Sequence, residues 1–265
     1  MVRDLLIRGM IAGVVAGLLC FAVAKILGEP QVDRAIAFEE AHSKSQDKAA
    51  AAHHGMVGMT EPSPDGGEVE LVSRKVQSTF GLLTAVVVYG SAMGGLFALA
   101  FAFLYGRVGE VSPRLLALLL ALAAFAALYY VPSLKYPANP PAIGEPDTIA
   151  YRTGFYLLMM LISLAAMVFA IATARYLAAG AGSLNATLIG AAFFVGIIVI
   201  AQVVLPDINE VPPDFPAVVL WRFRMASLGM QAVTWGSLGL TFGVLAESLL
   251  ESRYRSRSLA DVRNG

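Results

Sequence analysis

The chain has 265 residues, of which 57% are hydrophobic and 14% are charged, and its 19 basic and 19 acidic residues give a formal net charge of zero. A soluble domain carries about 25% charged residues, so this composition, with a mean hydropathy of +0.69, predicts an integral membrane protein. Without net positive charge the chain has no basic field that would attract nucleic acid. The single cysteine, Cys20, cannot form an internal disulfide.

The first apolar run extends from residue 5 to residue 27, and about 20 apolar residues suffice to cross a bilayer. The run also fits a signal peptide, because Ala22-Val-Ala24 is a possible cleavage site. However, Gly9, Gly13 and Gly17 recur every four residues and would form one smooth helix face on which another membrane helix can pack. We therefore favour a retained membrane span over a cleaved leader.

The polar segment at residues 28–76 is predicted to form a partly helical loop outside the membrane. Residues 31–52 are rich in alanine, glutamate and lysine, which favour a helix. Five further apolar runs follow, at about residues 78–104, 115–131, 154–176, 184–205 and 223–249. The sequence thus predicts an all-α fold with a single transmembrane domain of about six helices, and a basic tail at residues 250–265 that is expected to fray.

Three polar segments that contain proline follow alternate apolar runs, at residues 28–33, 132–141 and 205–216. Proline fixes φ and has no N–H group, so these segments are predicted to interrupt the helices before them. Because they follow alternate runs, all three are expected on one face of the membrane. We interpret that face as the working face of the protein.

Arginine is concentrated at the opposite face, where an excess of positive charge in short loops marks the cytoplasmic side. The residues concerned are Arg3, Arg8, Arg107, Arg114, Arg175, Arg253, Arg255, Arg257 and Arg263. The prediction is a multi-pass protein of the plasma (inner) membrane with both termini cytoplasmic. Trp221 and Trp235 are expected to anchor it at the membrane interface, and Lys25 to extend its ammonium group towards that interface.

Metal-binding side chains occur in the first polar segment. Glu39 and His42 lie three residues apart and would share a helix face, and such a pair can bind a metal ion when other groups complete the coordination shell. His53 and His54 add imidazole groups, which suit divalent first-row metals. These four residues are the predicted metal ligands, and the alternative is a solvated polar loop with incidental histidines.

The other two polar segments and their flanks carry acids and bases in nearly equal number. The residues predicted to form structural ion pairs, or alternatively to line a substrate path, are Asp207, Glu210, Asp214, Arg152, Arg222 and Arg224. The chain has no P-loop, Gly-x-Ser-x-Gly or His-Glu-x-x-His motif, so it is not predicted to be an enzyme.

Several short motifs together resemble the actinobacterial-type CbtA proteins, a family of predicted cobalt transporter subunits. They are Gly28-Glu-Pro-Gln-Val-Asp33 with Glu39-Glu-Ala-His42, Leu134-Lys-Tyr-Pro-Ala-Asn-Pro-Pro141, Asn209-Glu-Val-Pro212 and Leu220-Trp-Arg-Phe-Arg224. The resemblance covers nearly the whole chain. It implies a helical membrane protein associated with cobalt uptake for cobalamin synthesis, and a small single-span membrane partner, CbtB, with histidines near a terminus.

The leading functional hypothesis is a membrane subunit of a divalent metal uptake system, with Co²⁺ as the transported ion and no permanently bound cofactor. Its outer loops would collect the ion. Two alternatives stay open. One is a non-transporting membrane subunit that binds or orients a partner protein, and the other is a membrane enzyme that acts on lipid through Arg222, Arg224 and the neighbouring acids.

Overall fold

The computed structural model describes the backbone at residues 1–53, 73–141 and 143–264, and the side chains at residues 1–45, 73–141 and 143–252. Within these residues the chain is all-α, with six helices long and apolar enough to cross a membrane. This finding confirms the predicted fold class. The helices are α1 (Val2–Val23, Ala24–Gly28 and Glu29–His53 in one unbroken run), α2 (Arg74–Leu104), α3 (Pro113–Lys135), α4 (Pro146–Ala181), α5 (Ser183–Val204) and α6 (Ala217–Asn264).

Each of the six helices is longer than the hydrocarbon core of a bilayer is thick. The 22 residues of α5 give a rod of about 33 Å, whereas the hydrocarbon core is about 30 Å thick. Helix α1 continues far beyond that length, so its second half extends past the bundle. The division of the chain into membrane spans, an outer loop at residues 28–76 and a tail at residues 250–265 stays a prediction.

Backbone contact through glycine joins α1 to α2. The facing residues are Gly9, Gly13 and Gly17 on α1 and Gly94, Gly90 and Val86 on α2. A Cβ atom placed on Gly13 would overlap the carbonyl oxygen of Gly90 and lie 2.7 Å from its carbonyl carbon. Only glycine allows the two backbones to approach this closely. The prediction that this smooth face packs against another membrane helix is confirmed.

Helices α1, α2, α3 and α6 share one apolar core. At its centre the rings of Phe97 and Phe101 meet Phe242 edge-on, with centroids 5.4 and 5.0 Å apart. Helix α6 approaches α3 at Gly239, where an added Cβ would lie 2.6 Å from that of Ala121. These four helices therefore form a bundle whose contacts depend on small residues as much as on large ones.

Helices α4 and α5 form a hairpin beside this bundle. Gly182 turns the chain between them with φ at +78°, a left-handed conformation that glycine adopts without steric cost. The hairpin packs on α3 through a second core that includes Val131, Met159 and Ile198. Helix α3 is consequently the shared neighbour of α4 on one side and α6 on the other.

Two prolines lie inside helices that the sequence analysis expected them to interrupt. Pro30 belongs to α1, and Pro132 belongs to the last turns of α3. A π-helical turn precedes each of them, at Ala24–Gly28 and Ala126–Tyr130. In a π turn each carbonyl oxygen accepts from the N–H group five residues later. The carbonyl four residues before the proline can therefore accept from the residue that follows the proline, which has an N–H group. The expected interruption at residues 28–33 is therefore wrong.

Two side chains expected at the membrane interface, Lys25 and Trp235, contact neighbouring helices. The Nζ atom of Lys25 donates to the backbone oxygen of Ser78 at 3.1 Å and to its Oγ at 3.2 Å. Trp235 is buried in the four-helix core, whereas Trp221 is exposed.

The basic tail differs from expectation, since the backbone of α6 stays helical as far as Asn264.

The substitution Gly13→Ala should destabilise the protein, because its methyl group would overlap the Gly90 carbonyl and overpacking costs about 1–3 kcal/mol. Gly196→Ala is the matched control, since no atom of the described residues lies within 4 Å of a Cβ atom placed there and alanine stabilises a helix relative to glycine. The measurement is the midpoint temperature of thermal unfolding in detergent. Equal midpoints for the two variants would contradict close packing at Gly13.

Candidate functional site on the loop face

Three polar segments meet at one end of the bundle, which we call the loop face. They are residues 136–148 without residue 142, residues 205–216, and the described part of α1 beyond residue 28. The hydroxyl of Tyr136 donates to the carbonyl oxygen of Pro206 at 2.9 Å. The ring of Phe38 in α1 meets Phe215 edge-on, with centroids 5.1 Å apart. The proline-bearing segments of the sequence are thus assembled into one surface.

Lys135 ties the end of α3 to the segment at residues 205–216. Its Nζ atom donates to the backbone oxygen of Gln202 at 2.8 Å and forms an ion pair with Asp207. The lysine side chain is almost entirely buried, but the carboxylate of Asp207 is 93% exposed. Asp207 therefore already has a structural partner.

Burial raises the pKa of the neighbouring Tyr136, so its phenol stays protonated and can donate to Pro206.

Arg152 and Glu210 form a second ion pair, with Nε and Oε2 separated by 3.2 Å. The same Glu210 oxygen accepts from the backbone N–H of Glu145 at 3.1 Å. Gly144 lies directly behind the guanidinium group and has φ at +114°, and a Cβ atom there would overlap Arg152. Glycine is therefore needed at this turn, and the charges of Arg152 and Glu210 offset each other.

Arg224 differs from Arg152 because its partners are neutral. Its Nε atom donates to the backbone oxygen of Ala138 at 3.3 Å, and its Nη2 atom donates to Oδ1 of Asn139 at 2.9 Å. Among the described residues no carboxylate forms an ion pair with it. Arg222, two residues earlier, is exposed. The sequence analysis expected both arginines to face acids, and the structure instead places Arg224 against amide oxygens.

His42 and Asp214 come together from distant parts of the chain. The Nδ1 atom of His42 lies 3.1 Å from Oδ2 of Asp214, and these side chains are 42% and 54% exposed. The imidazole ring stacks on Phe38 with centroids 5.8 Å apart. Arg74 at the start of α2 holds this part of α1 in place through Glu29 at 2.7 Å and Asp33 at 3.2 Å. Sequence reasoning proposed both His42 and Asp214 but did not pair them.

The predicted metal ligands are only partly described. Glu39 is exposed on α1, His42 pairs with Asp214, and the side chain of His53 and the whole of His54 lie outside the described residues. In the part of the chain with described side chains, no group of three or more histidine, cysteine, aspartate or glutamate residues could hold a metal ion. The ligand set of Glu39, His42, His53 and His54 stays a prediction.

A cavity of about 490 Å³ lies beside these ion pairs, between the loop-face ends of α3, α4 and α6. Polar groups make up much of its lining: Tyr129, Tyr136, Tyr156, Asn139, Asn209, Arg152, Glu210 and Arg224. Sequence reasoning did not group these tyrosines and asparagines with the arginines. The feature of the sequence that could have indicated this cavity is the segment Tyr136-Pro-Ala-Asn139, which combines an aromatic residue and an amide within a proline-rich loop.

A comparison with protein families adds independent evidence on identity. The model of the family described as "Probable cobalt transporter subunit (CbtA)" matches residues 2–247. This region contains α1 to α5, most of α6 and every loop-face residue named above. Comparison with curated proteins and with solved structures found no match. Because the matched region covers most of the chain, the protein belongs to the CbtA family of transporter subunits.

Proposed function

We propose that this protein is the membrane subunit of an uptake system for a divalent metal ion, that Co²⁺ is the transported ion, and that the loop face collects it. Family membership and the six apolar helices support the role of a multi-pass membrane subunit. Ion collection rests on one observation, the approach of His42 to Asp214 at 3.1 Å. Imidazole and carboxylate are both ligand types for first-row divalent metals.

The exposure of this pair favours it over the other acids of the loop face. Asp207 is engaged by Lys135 and Glu210 by Arg152, so a cation would have to displace a positively charged side chain to reach either of them. The side chains of His42 and Asp214 are both partly exposed, so a cation can reach them from solvent. The described side chains alone form no site with three ligands, so we assign completion of the coordination shell to Glu39, one helical turn before His42, together with His53 and His54 further along the chain.

A transporter subunit implies a partner subunit, and we propose a small single-span protein of the CbtB type. The surface of α5 suits such a partner, because its side chains at Leu184, Val203 and Val204 are apolar and largely exposed. The same observation favours a second candidate function, a subunit that orients its partner without conducting the ion itself. Membership of a transporter subunit family fits either non-enzymatic role.

The decisive measurement is uptake of Co²⁺ into vesicles that contain the purified protein, with and without the single-span partner. A variant with His42→Ala, His53→Ala and His54→Ala should take up Co²⁺ at least about tenfold more slowly at limiting Co²⁺. A loss of this size is expected when ligands of a metal, or the groups that orient them, are removed. Glu40→Ala is the matched control, because Glu40 lies beside Glu39 but pairs with Lys44 at 3.9 Å.

Uptake by the triple variant at the wild-type level would contradict collection by the first polar segment. Specific binding of the partner without uptake by either preparation would instead support the second candidate. Asp214→Asn, which removes the carboxylate charge and preserves the side-chain shape, separates a ligand role of Asp214 from a structural one. We expect it to weaken uptake without lowering the yield of folded protein.

We further propose that the loop face is outside the cell and that both termini are cytoplasmic, as the distribution of arginine predicts. The test starts from Cys20→Ala and adds one cysteine at an exposed position. Asp147→Cys on the loop face should react with a membrane-impermeant thiol reagent in intact cells, whereas Glu110→Cys, between α2 and α3, should react only after permeabilisation. The opposite pattern would invert the proposed orientation.

A further inference from the structure

We propose that the cavity on the loop face binds the phosphate group of a phospholipid headgroup, with Arg224 as its cationic partner. The proposal concerns a lipid ligand and does not depend on which ion the protein transports. It rests on three observations: the charge of the cavity, the hydrogen-bond donors in its lining that have no acceptor among the described residues, and its position relative to exposed aromatic side chains.

The charges that line the cavity do not balance. Arg152 and Glu210 neutralise each other at 3.2 Å. Arg224 contributes a further positive charge, and among the described residues it donates only to neutral oxygens, those of Ala138 and Asn139. Within the described residues no carboxylate pairs with this positive charge. A partly buried charge without a counter-charge is unfavourable, so the cavity has an electrostatic preference for an anion.

The hydrogen-bond donors suit a phosphate group. Arg224 keeps its Nη1 amino group without an acceptor among the described residues, and a planar guanidinium group binds phosphate oxygens through parallel N–H donors. Tyr156 lines the same cavity, and its hydroxyl likewise has no protein acceptor within the described residues. Both donors can serve an anionic ligand without breaking the ion pair of Arg152.

Exposed aromatic side chains place the cavity at the depth of the lipid headgroups. Tyr130 follows the cavity residue Tyr129, Tyr151 precedes Arg152, and Trp221 lies about one turn before Arg224. Each of these three flanking aromatic residues is exposed. Tyrosine and tryptophan on the surface of a membrane protein favour the headgroup region. A ligand beside Arg224 would thus lie at the level of lipid phosphates.

The size and opening of the cavity favour a headgroup over inorganic phosphate. A volume of about 490 Å³ lies within the range of about 300–1,000 Å³ that is typical of sites for larger ligands. Ile149 lines the cavity and is 54% exposed, so the wall at α4 reaches the outer surface of the bundle. A lipid could place its headgroup inside and its acyl chains along α4.

The experiment measures phosphatidylethanolamine retained by the purified protein in a neutral detergent without added Co²⁺, by native mass spectrometry. This lipid has no net charge, so non-specific attraction to surface arginines is small. Arg224→Gln should lower its retention by about tenfold or more, the effect of losing a hydrogen bond to a charged group. Arg222→Gln is the matched control on the same helix, since Arg222 does not line the cavity, and should change retention by less than about twofold.

A second variant keeps the proposal testable if Arg224→Gln fails to fold. Asn139→Asp preserves the shape of the partner of Arg224 and neutralises the guanidinium charge, so it should also lower retention of the lipid about tenfold. Equal retention by the wild type and by the folded variants would overturn the site. If inorganic phosphate raises the unfolding temperature of the wild type but phosphatidylethanolamine does not bind, the assignment to a lipid is overturned in favour of a free anion.

Discussion

The close approach of α1 to α2 at their glycines is the contact on which the loop face depends. Because Gly13 and Gly90 bring the two backbones together, Lys25 can reach Ser78, and Arg74 can reach Glu29 and Asp33. These polar contacts fix the direction in which α1 leaves the bundle. That direction decides where His42 lies. The glycine contact between α1 and α2 therefore positions a candidate ligand in the second half of α1.

The loop face distributes its charges unevenly. Asp207 and Glu210 are each engaged by a basic side chain, which binds the polar segments to the ends of α3 and α4. The same surface carries two further groups, the exposed pair of His42 and Asp214 and the guanidinium of Arg224, which donates to neutral oxygens. The first suits a cation and the second an anion, so a metal ion and a lipid phosphate would be held at separate places on one surface.

The π turns explain how a proline-rich sequence still forms long helices. A turn of this kind precedes both Pro30 and Pro132 and removes the conflict between the proline ring and the carbonyl four residues earlier. As a result α1 projects beyond the bundle, and α3 continues as far as Lys135. Both consequences matter for the loop face, because His42 lies on that projection and Lys135 holds Asp207.

The sequence by itself determined the features that depend on local composition. Apolar runs of sufficient length must cross the membrane as helices, since lipid offers no partners for backbone polar groups, and glycines at every fourth position must form a smooth face. Tertiary structure decided which distant residues meet, as in the pairing of His42 with Asp214, the burial of Trp235 and the neutral partners of Arg224. Those contacts depend on how whole helices pack and project, which no local pattern of residues specifies.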